Sequence, residues 1–280
     1  MPMLRANSLF DPPRFFGSNS ADRGPLLVIG GPCVLESMEV CLQIGTALSE
    51  CCLAAGVAYV FKASFDKANR SSVKSARGPG VDRGCDQLSQ IGARLGVPTL
   101  TDIHQPDQAA RAATAVDILQ IPAFLCRQTD LLAAAAATGR PVNVKKGQFM
   151  APAEMRNVLA KLGEGGCQQR MITERGTFFG YHRLVTDFIG LGDLMELGAP
   201  VCFDVTHSTQ LPGADGTTTG GRPERSALLA RAAVAAGVDA LFLECHPDPR
   251  ASLSDASTSL TIEAAVALIS TVGLLRSASR

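Results

Sequence analysis

Leu26-Leu27-Val28-Ile29-Gly30-Gly31-Pro32-Cys33 is an apolar run that stops at two glycines, a proline and a cysteine. A run of four large aliphatic residues bounded by turn residues reads as a strand buried on both faces. The turn after this first strand separates two α/β architectures. A doubly wound dinucleotide fold needs a GxGxxG turn there, and Gly30-Gly31-Pro32-Cys33 supplies neither its spacing nor its last glycine. Seven more apolar runs come later in the chain: Ala58–Ala63, Val97–Thr101, Asp117–Ile121, Pro141–Val144, Arg170–Thr173, Pro200–Val205 and Ala240–Leu243. Between them lie Ala- and Leu-rich segments with helical spacing, at Ser37–Ala55, Gly84–Leu95, Asp107–Ala115, Thr129–Ala137, Ala153–Leu162, Arg222–Ala236 and Thr261–Arg276. Gly56 and Gly96 stand where C-terminal caps belong, and Pro106 and Pro152 stand near helix starts. Arg183–Gly198 is the least regular stretch. Eight strands alternating with helices predict a single-domain (β/α)8 TIM barrel over residues 25–280, preceded by an arm over residues 1–24.

Composition agrees. The chain has 280 residues, within the range of one α/β barrel. Lys+Arg and Asp+Glu balance at 26 each, which gives no basic surface for nucleic acid and none for an anionic membrane. The arm has no signal-peptide core, and no run approaches the ~20 apolar residues of a membrane helix. Nine scattered cysteines with no CxxC pair read as reduced thiols of a cytoplasmic protein.

Barrel chemistry sits at the C-terminal ends of the strands, and there the sequence turns polar. The second run continues into Lys62-Ala63-Ser64-Phe65-Asp66-Lys67-Ala68-Asn69-Arg70-Ser71-Ser72, a segment suited to an anion pocket but also readable as a solvated loop. Asp102 and His104 end the third run, Gln120 the fourth with Arg127 beyond it, Asn143, Lys145 and Lys146 the fifth, and Glu174 and Arg175 the sixth. Asp204 and His207 end the seventh, and Glu244 and His246 the eighth, with Asp255 in the loop after. One set is cationic: Lys62, Lys67, Arg70, Arg127, Lys145 and Arg175. Converging on one barrel mouth, these charges call for anionic substrates bearing phosphate and carboxylate, with some of them neutralised by Asp66, Glu174 or Asp204. A second set, Cys33, His207, Glu244 and Asp255, has the ligand types of a divalent transition metal but no compact spacing. A cysteine at a strand end is more often a small buried hydrophobe, and Cys41, Cys51, Cys52, Cys85, Cys126, Cys167, Cys202 and Cys245 take that reading.

Several stretches, in order, resemble the 3-deoxy-D-manno-octulosonate 8-phosphate synthases: Gly31-Pro32-Cys33-Val34-Leu35-Glu36-Ser37, FKASFDKANRSS at 61–72, TDIH at 101–104, QIPAFLCRQTDLL at 120–132, NVKKGQF at 143–149, TERGTFFGY at 173–181, FDVTHSTQLPG at 203–213 and the segment 246–257. The likeness runs from about Leu26 to the C-terminus and leaves the arm uncovered. It implies a (β/α)8 barrel that condenses phosphoenolpyruvate with D-arabinose 5-phosphate, releasing phosphate, for the lipopolysaccharide inner core of Gram-negative bacteria. It implies that Lys67, Lys145 and Arg175 hold phosphoenolpyruvate, that Asn69, Arg70 and Ser71 grip the sugar phosphate with Asp102 near its hydroxyls, and that Lys62 and Gln120 also contact substrate. Arg127 would reach a neighbouring subunit's site in a homotetramer. Cysteine at the first strand marks the metal-dependent branch, so the resemblance reverses the reading of Cys33. Cys33, His207, Glu244 and Asp255 would hold one Fe, Zn, Mn or Co ion per subunit to orient the aldehyde and acidify a water, with Lys67, Lys145, His207 and Asp255 as the catalytic residues. The alternatives are a synthase of the 3-deoxy-D-arabino-heptulosonate 7-phosphate type and a catalytically dead sugar-phosphate-binding barrel.

Overall fold

A computed structural model describes residues 9–17, 24–68, 76–178, 182–213 and 220–279. Eight parallel strands form a closed ring: β1 (Leu27–Gly31), β2 (Ala58–Lys62), β3 (Thr99–Asp102), β4 (Ile118–Ile121), β5 (Val142–Lys145), β6 (Arg170–Glu174), β7 (Val201–Asp204) and β8 (Ala240–His246). β8 pairs back onto β1 with Leu27 opposite Ala240 and Gly31 opposite Glu244, which closes the barrel. Each predicted strand lies within three residues of an observed one. The helices are α1 (Met38–Ala54), α2 (Val81–Leu95), α3 (Gln108–Ala113), α4 (Thr129–Ala137), α5 (Met155–Glu164), α6 (Phe188–Met195), α7 (Ser226–Ala236) and α8 (Ile262–Ala278). Their limits reflect local chemistry. The Ser37 side chain accepts from Val40 N and the Thr261 side chain from Ala264 N, capping α1 and α8. Gly56 and Gly96 both adopt φ of 66°, where glycine avoids the Cβ clash of other residues. The stretch without clear periodicity contains α6, which is only eight residues long, carries two glycines, and is started by Asp187 accepting from Ile189 N.

The strands read as continuous apolar runs because both faces are covered. Alternate residues point inward: Leu27, Ile29, Ala58, Val60, Leu100, Ile118, Met171, Cys202, Ala240 and Phe242 fill the barrel. Their neighbours, among them Val28, Tyr59, Phe61, Leu119, Val144, Ile172, Phe203 and Leu241, pack under the helices. Gly31 is required by a close approach, since a Cβ there would lie 2.1 Å from the carbonyl oxygen of Lys62. Gly31, at the end of β1, therefore serves strand packing.

The described part of the N-terminal arm belongs to the core. Pro12–Phe16 is a short helix with proline in its first turn, and its Phe15 and Phe16 join the barrel's interior cluster, backed by Leu9 and Phe10. Phe16 is 0% exposed, so this aromatic pair stops the N-terminal end of the barrel. Asn69, Arg70 and Ser71 lie outside the described residues. Among the described residues no helix is long and apolar enough to cross a membrane.

Candidate active site and metal cluster

At the C-terminal end, the same inward-facing positions change from apolar to polar. Lys62, Asp102, Gln120, Asn143, Lys145, Thr173, Asp204 and Glu244 are all buried, and the cost of burying them is met by mutual pairing. A chain of hydrogen bonds crosses four strands and the segment after β2. Thr173 Oγ1 donates to Asn143 Oδ1 (2.7 Å), Asn143 Nδ2 donates to Gln120 Oε1 (2.9 Å), and Gln120 Nε2 and Ser64 Oγ both donate to Asp102. Lys62 Nζ donates to Glu244 Oε1 at 2.7 Å and to the carbonyl of Cys33 at 2.9 Å, and lies 3.9 Å from Asp102 Oδ2. Lys145 Nζ lies 2.6 Å from Asp204 Oδ2 and 3.4 Å from the centroid of the Phe242 ring, a cation–π contact.

Lys62 and Lys145 thus each already have a carboxylate partner, Glu244 and Asp204. Of the counter-ions anticipated, Asp204 pairs within the site, while Glu174 binds Lys146 (3.3 Å) and Asp66 binds Arg77 (2.5 Å). Lys146, although at the end of β5, points away, with its ammonium against the Met150 carbonyl at 3.2 Å. Two cations retain capacity. Lys67 is half-buried at the mouth. Burial opposes its charge, but Cys33, Glu244, Asp255 and Asp102 around it raise its pKa. Arg175 is buried; its Nη2 donates to Gln210 Oε1 at 2.6 Å, and its Nη1 has no hydrogen-bond partner among the described residues. A buried guanidinium with an idle nitrogen is an anion-binding group. Arg127 is exposed, in the loop that follows β4.

Cys33, Glu244 and Asp255 converge, with one donor atom of each within 4.8 Å of the others. Cys33 Sγ donates to Asp255 Oδ2 at 2.9 Å. Glu244 Oε2 is buried without a hydrogen-bond partner among the described residues, and His207 Nε2 lies 3.6 Å from it. The other ring nitrogen, Nδ1, is 2.8 Å from Asp204 Oδ2, the carboxylate–histidine arrangement that leaves Nε2 free to ligate. Burial chiefly, then Asp255 and Glu244, hold the Cys33 thiol protonated far above its ordinary range. A thiolate here needs a further cation. The donor set, the idle Glu244 oxygen and the oriented imidazole fit a divalent transition metal.

The predicted site residues that are described lie at the C-terminal end of the barrel strands or in the loops that follow them. Two contributors escape the sequence reading: Phe242 and Gln210. Phe242 lies two residues before Glu244, on the same inward face of β8, and that parity is the one signal that marks it. Gln210, bridging Arg175 and Asp255 (3.3 Å), carries no comparable signal. A cleft lies at the opposite end, between Phe10, Pro12 and the C-terminal turn of α2. None of the polar groups above lines it.

Residues 18–276 match the DAHP synthetase I family. The chain belongs to that family. Among relatives in this DAHP synthetase I family, a protein from a Cyanothece species is 54% identical over 234 residues, 84% of this chain and 86% of the relative. One from Aromatoleum aromaticum is 50% identical over 250 residues, 89% of this chain and 90% of the relative. One from Nitratidesulfovibrio vulgaris is 52% identical over 248 residues, 89% and 91% of the two chains. All three are named 2-dehydro-3-deoxyphosphooctonate aldolase, another name for 3-deoxy-8-phosphooctulonate synthase.

Proposed function

We propose that the chain condenses phosphoenolpyruvate with D-arabinose 5-phosphate and water to give 3-deoxy-D-manno-octulosonate 8-phosphate and inorganic phosphate. The observation that carries this reading is a half-open arginine and a lysine set beside a thiol–carboxylate cluster, in a family member whose relatives bear that enzyme's name. Arg175, Lys67 and Lys145 hold the carboxylate and phosphate of phosphoenolpyruvate. Asp204 and the Phe242 ring keep the Lys145 ammonium in place from below. Asn69, Arg70 and Ser71 grip the sugar phosphate, and Asp102 and Gln120 stand beneath it. C3 of phosphoenolpyruvate bonds to the aldehyde carbon, whose oxygen takes up a proton. Water adds to C2 and gives up a proton. The resulting hemiketal phosphate breaks its C–O bond and releases phosphate, leaving the ketone. The cationic groups stabilise the charge that shifts between these anions, and holding both substrates together lowers the entropic barrier.

Cys33, His207, Glu244 and Asp255 would hold one Fe, Zn, Mn or Co ion, which when bound supplies Lewis-acid polarisation of an oxygen. Assembly as a homotetramer is part of the same reading. Phe124, Phe149 and Phe178 are 46%, 49% and 45% exposed and Ile189 is 82% exposed. Phe149, Phe178 and Gly190 line one cleft, so this apolar band is suited to burial against a second copy, with Arg127 beside it reaching the neighbour's site. Nine free cysteines suit a reducing, cytoplasmic setting.

Phosphate release from the two substrates, followed before and after chelation with metal content measured on the same sample, tests this. Activity abolished by chelation and restored by a divalent ion is the expected result. Activity indifferent to chelator, with no metal bound, removes the metal and keeps the synthase. Turnover with erythrose 4-phosphate in place of arabinose 5-phosphate points to the heptulosonate type, and turnover with neither to a binding barrel.

A further inference from the structure

The mechanism leaves the Glu36–His246 pair unused. Glu36 and His246 lie 3.3 Å apart (Oε2 to Nε2), with side chains 11% and 7% exposed. The second Glu36 oxygen, Oε1, accepts from the backbone N–H of Leu253 at 3.2 Å, across 217 residues of chain. The pair sits on the seam where β8 closes onto β1, and each partner is tied to a donor of the thiol–carboxylate cluster. Glu36 comes three residues after Cys33, in a segment stitched to the end of β2: Ser64 N donates to the Cys33 carbonyl and Leu35 N to the Ser64 carbonyl. That makes Glu36 a rigid arm. His246 comes two residues after Glu244 and is itself held, with Nδ1 2.6 Å from the Asp248 carbonyl oxygen. Leu253 precedes Asp255 by two.

The Asp255 loop needs such an anchor. Asp255 has φ of 49°, in the left-handed region that residues other than glycine seldom occupy. From its C-terminal side it is gripped by Thr258 N and Ser259 N, both donating to its carbonyl at 3.0 Å. On its N-terminal side, the cross-chain tie that reaches this loop from the Cys33 segment is the Leu253 N–H to Glu36. We infer that Glu36, through His246 and Leu253, is a positioning residue that holds Cys33, Glu244 and Asp255 in one cluster across the barrel seam. It would touch neither metal nor substrate. The inference rests on the metal reading above, and outer partners of this kind typically contribute about 10–100-fold to metal affinity.

The test uses Co(II) alone on the full chain, titrated against a competing chelator, with the thiolate-to-cobalt absorption recorded and melting of the metal-stripped protein measured in parallel. Glu36→Leu is expected to bind Co(II) about 10–100-fold more weakly, to show a weakened thiolate band, and to recover turnover at excess metal. Glu36→Gln, which can still accept from Leu253 N, is expected to stay within a few-fold of the parent. A role confined to stability would lower the melting temperature and leave affinity and band unchanged, which overturns the inference. If Glu36→Leu does not fold, His246→Gln is read by the same criteria. A parent chain that binds no Co(II) overturns the metal reading and this inference together. A parent that binds, with Glu36→Leu its equal, overturns this inference alone.

Discussion

Lys145 shows how a residue's surroundings revise a prediction made from its type. Its ammonium faces substrate space, yet it also neutralises Asp204, which is 0% exposed. Lys145→Ala is expected to cost orders of magnitude in kcat/KM. It is also expected to cost stability, toward about 3–5 kcal/mol, because a buried carboxylate loses a partner; His207 beside Asp204 reduces that figure. Urea unfolding alongside kinetics checks both, and an unchanged kcat/KM would remove Lys145 from the site. Asp66 offers a pH test away from the metal cluster. Burial raises its pKa, but the bidentate Arg77 guanidinium overrides this and holds it below the ordinary value. Such a group contributes stability above its unfolded pKa of about 3.9, and the contribution fades as pH falls below that toward the folded value. Arg77 is largely exposed, so solvent screening keeps the pair's contribution small. Asp66→Asn should melt slightly below the parent at pH 7, with the gap narrowing as pH falls below the unfolded carboxyl's range. Parallel melting curves over that range would count against the ion pair.

At the scale of elements, the N-terminal segment departs most from what its sequence suggests. Its prolines and serines indicate an arm outside the barrel, with no periodicity to signal burial. The helix Pro12–Phe16 is nevertheless fixed by what it plugs, since Phe15 and Phe16 complete a core whose other members come from the strands. Phe16→Ala is expected to destabilise the fold by about 3–5 kcal/mol, as large-to-small core changes do, with kcat little changed in the folded protein. A loss under about 1 kcal/mol by denaturant unfolding would show that the plug is dispensable. The helices were legible because their signals are local: Ser37 and Thr261 cap with their own side chains, and Gly56 and Gly96 end helices with their own φ. α6 was hidden because eight residues with two glycines give too short a period to read.

For the whole molecule, the exposed phenylalanines around the barrel mouth lead to an assembly test. Phe149→Asp is expected to shift the sedimentation of the native protein toward smaller species while leaving the secondary structure intact. Unchanged sedimentation would take Phe149 out of any subunit interface.

Strand number, strand order and the barrel class were determined by the sequence alone. They depend on which residues are apolar and on the turn after the first strand, both properties of neighbours in the chain. The composition of the site end was legible too, because barrel geometry brings every strand's last residues together whatever their distance in sequence. The pairing was decided only by tertiary structure. Which carboxylate neutralises Lys62, which nitrogen of Arg175 stays idle, that Phe242 lies under Lys145 and that Glu36 reaches Leu253 all depend on register and on the tilt of side chains across the barrel. Those are set by packing between segments as far apart as the 217 residues from Glu36 to Leu253, and no local pattern carries them.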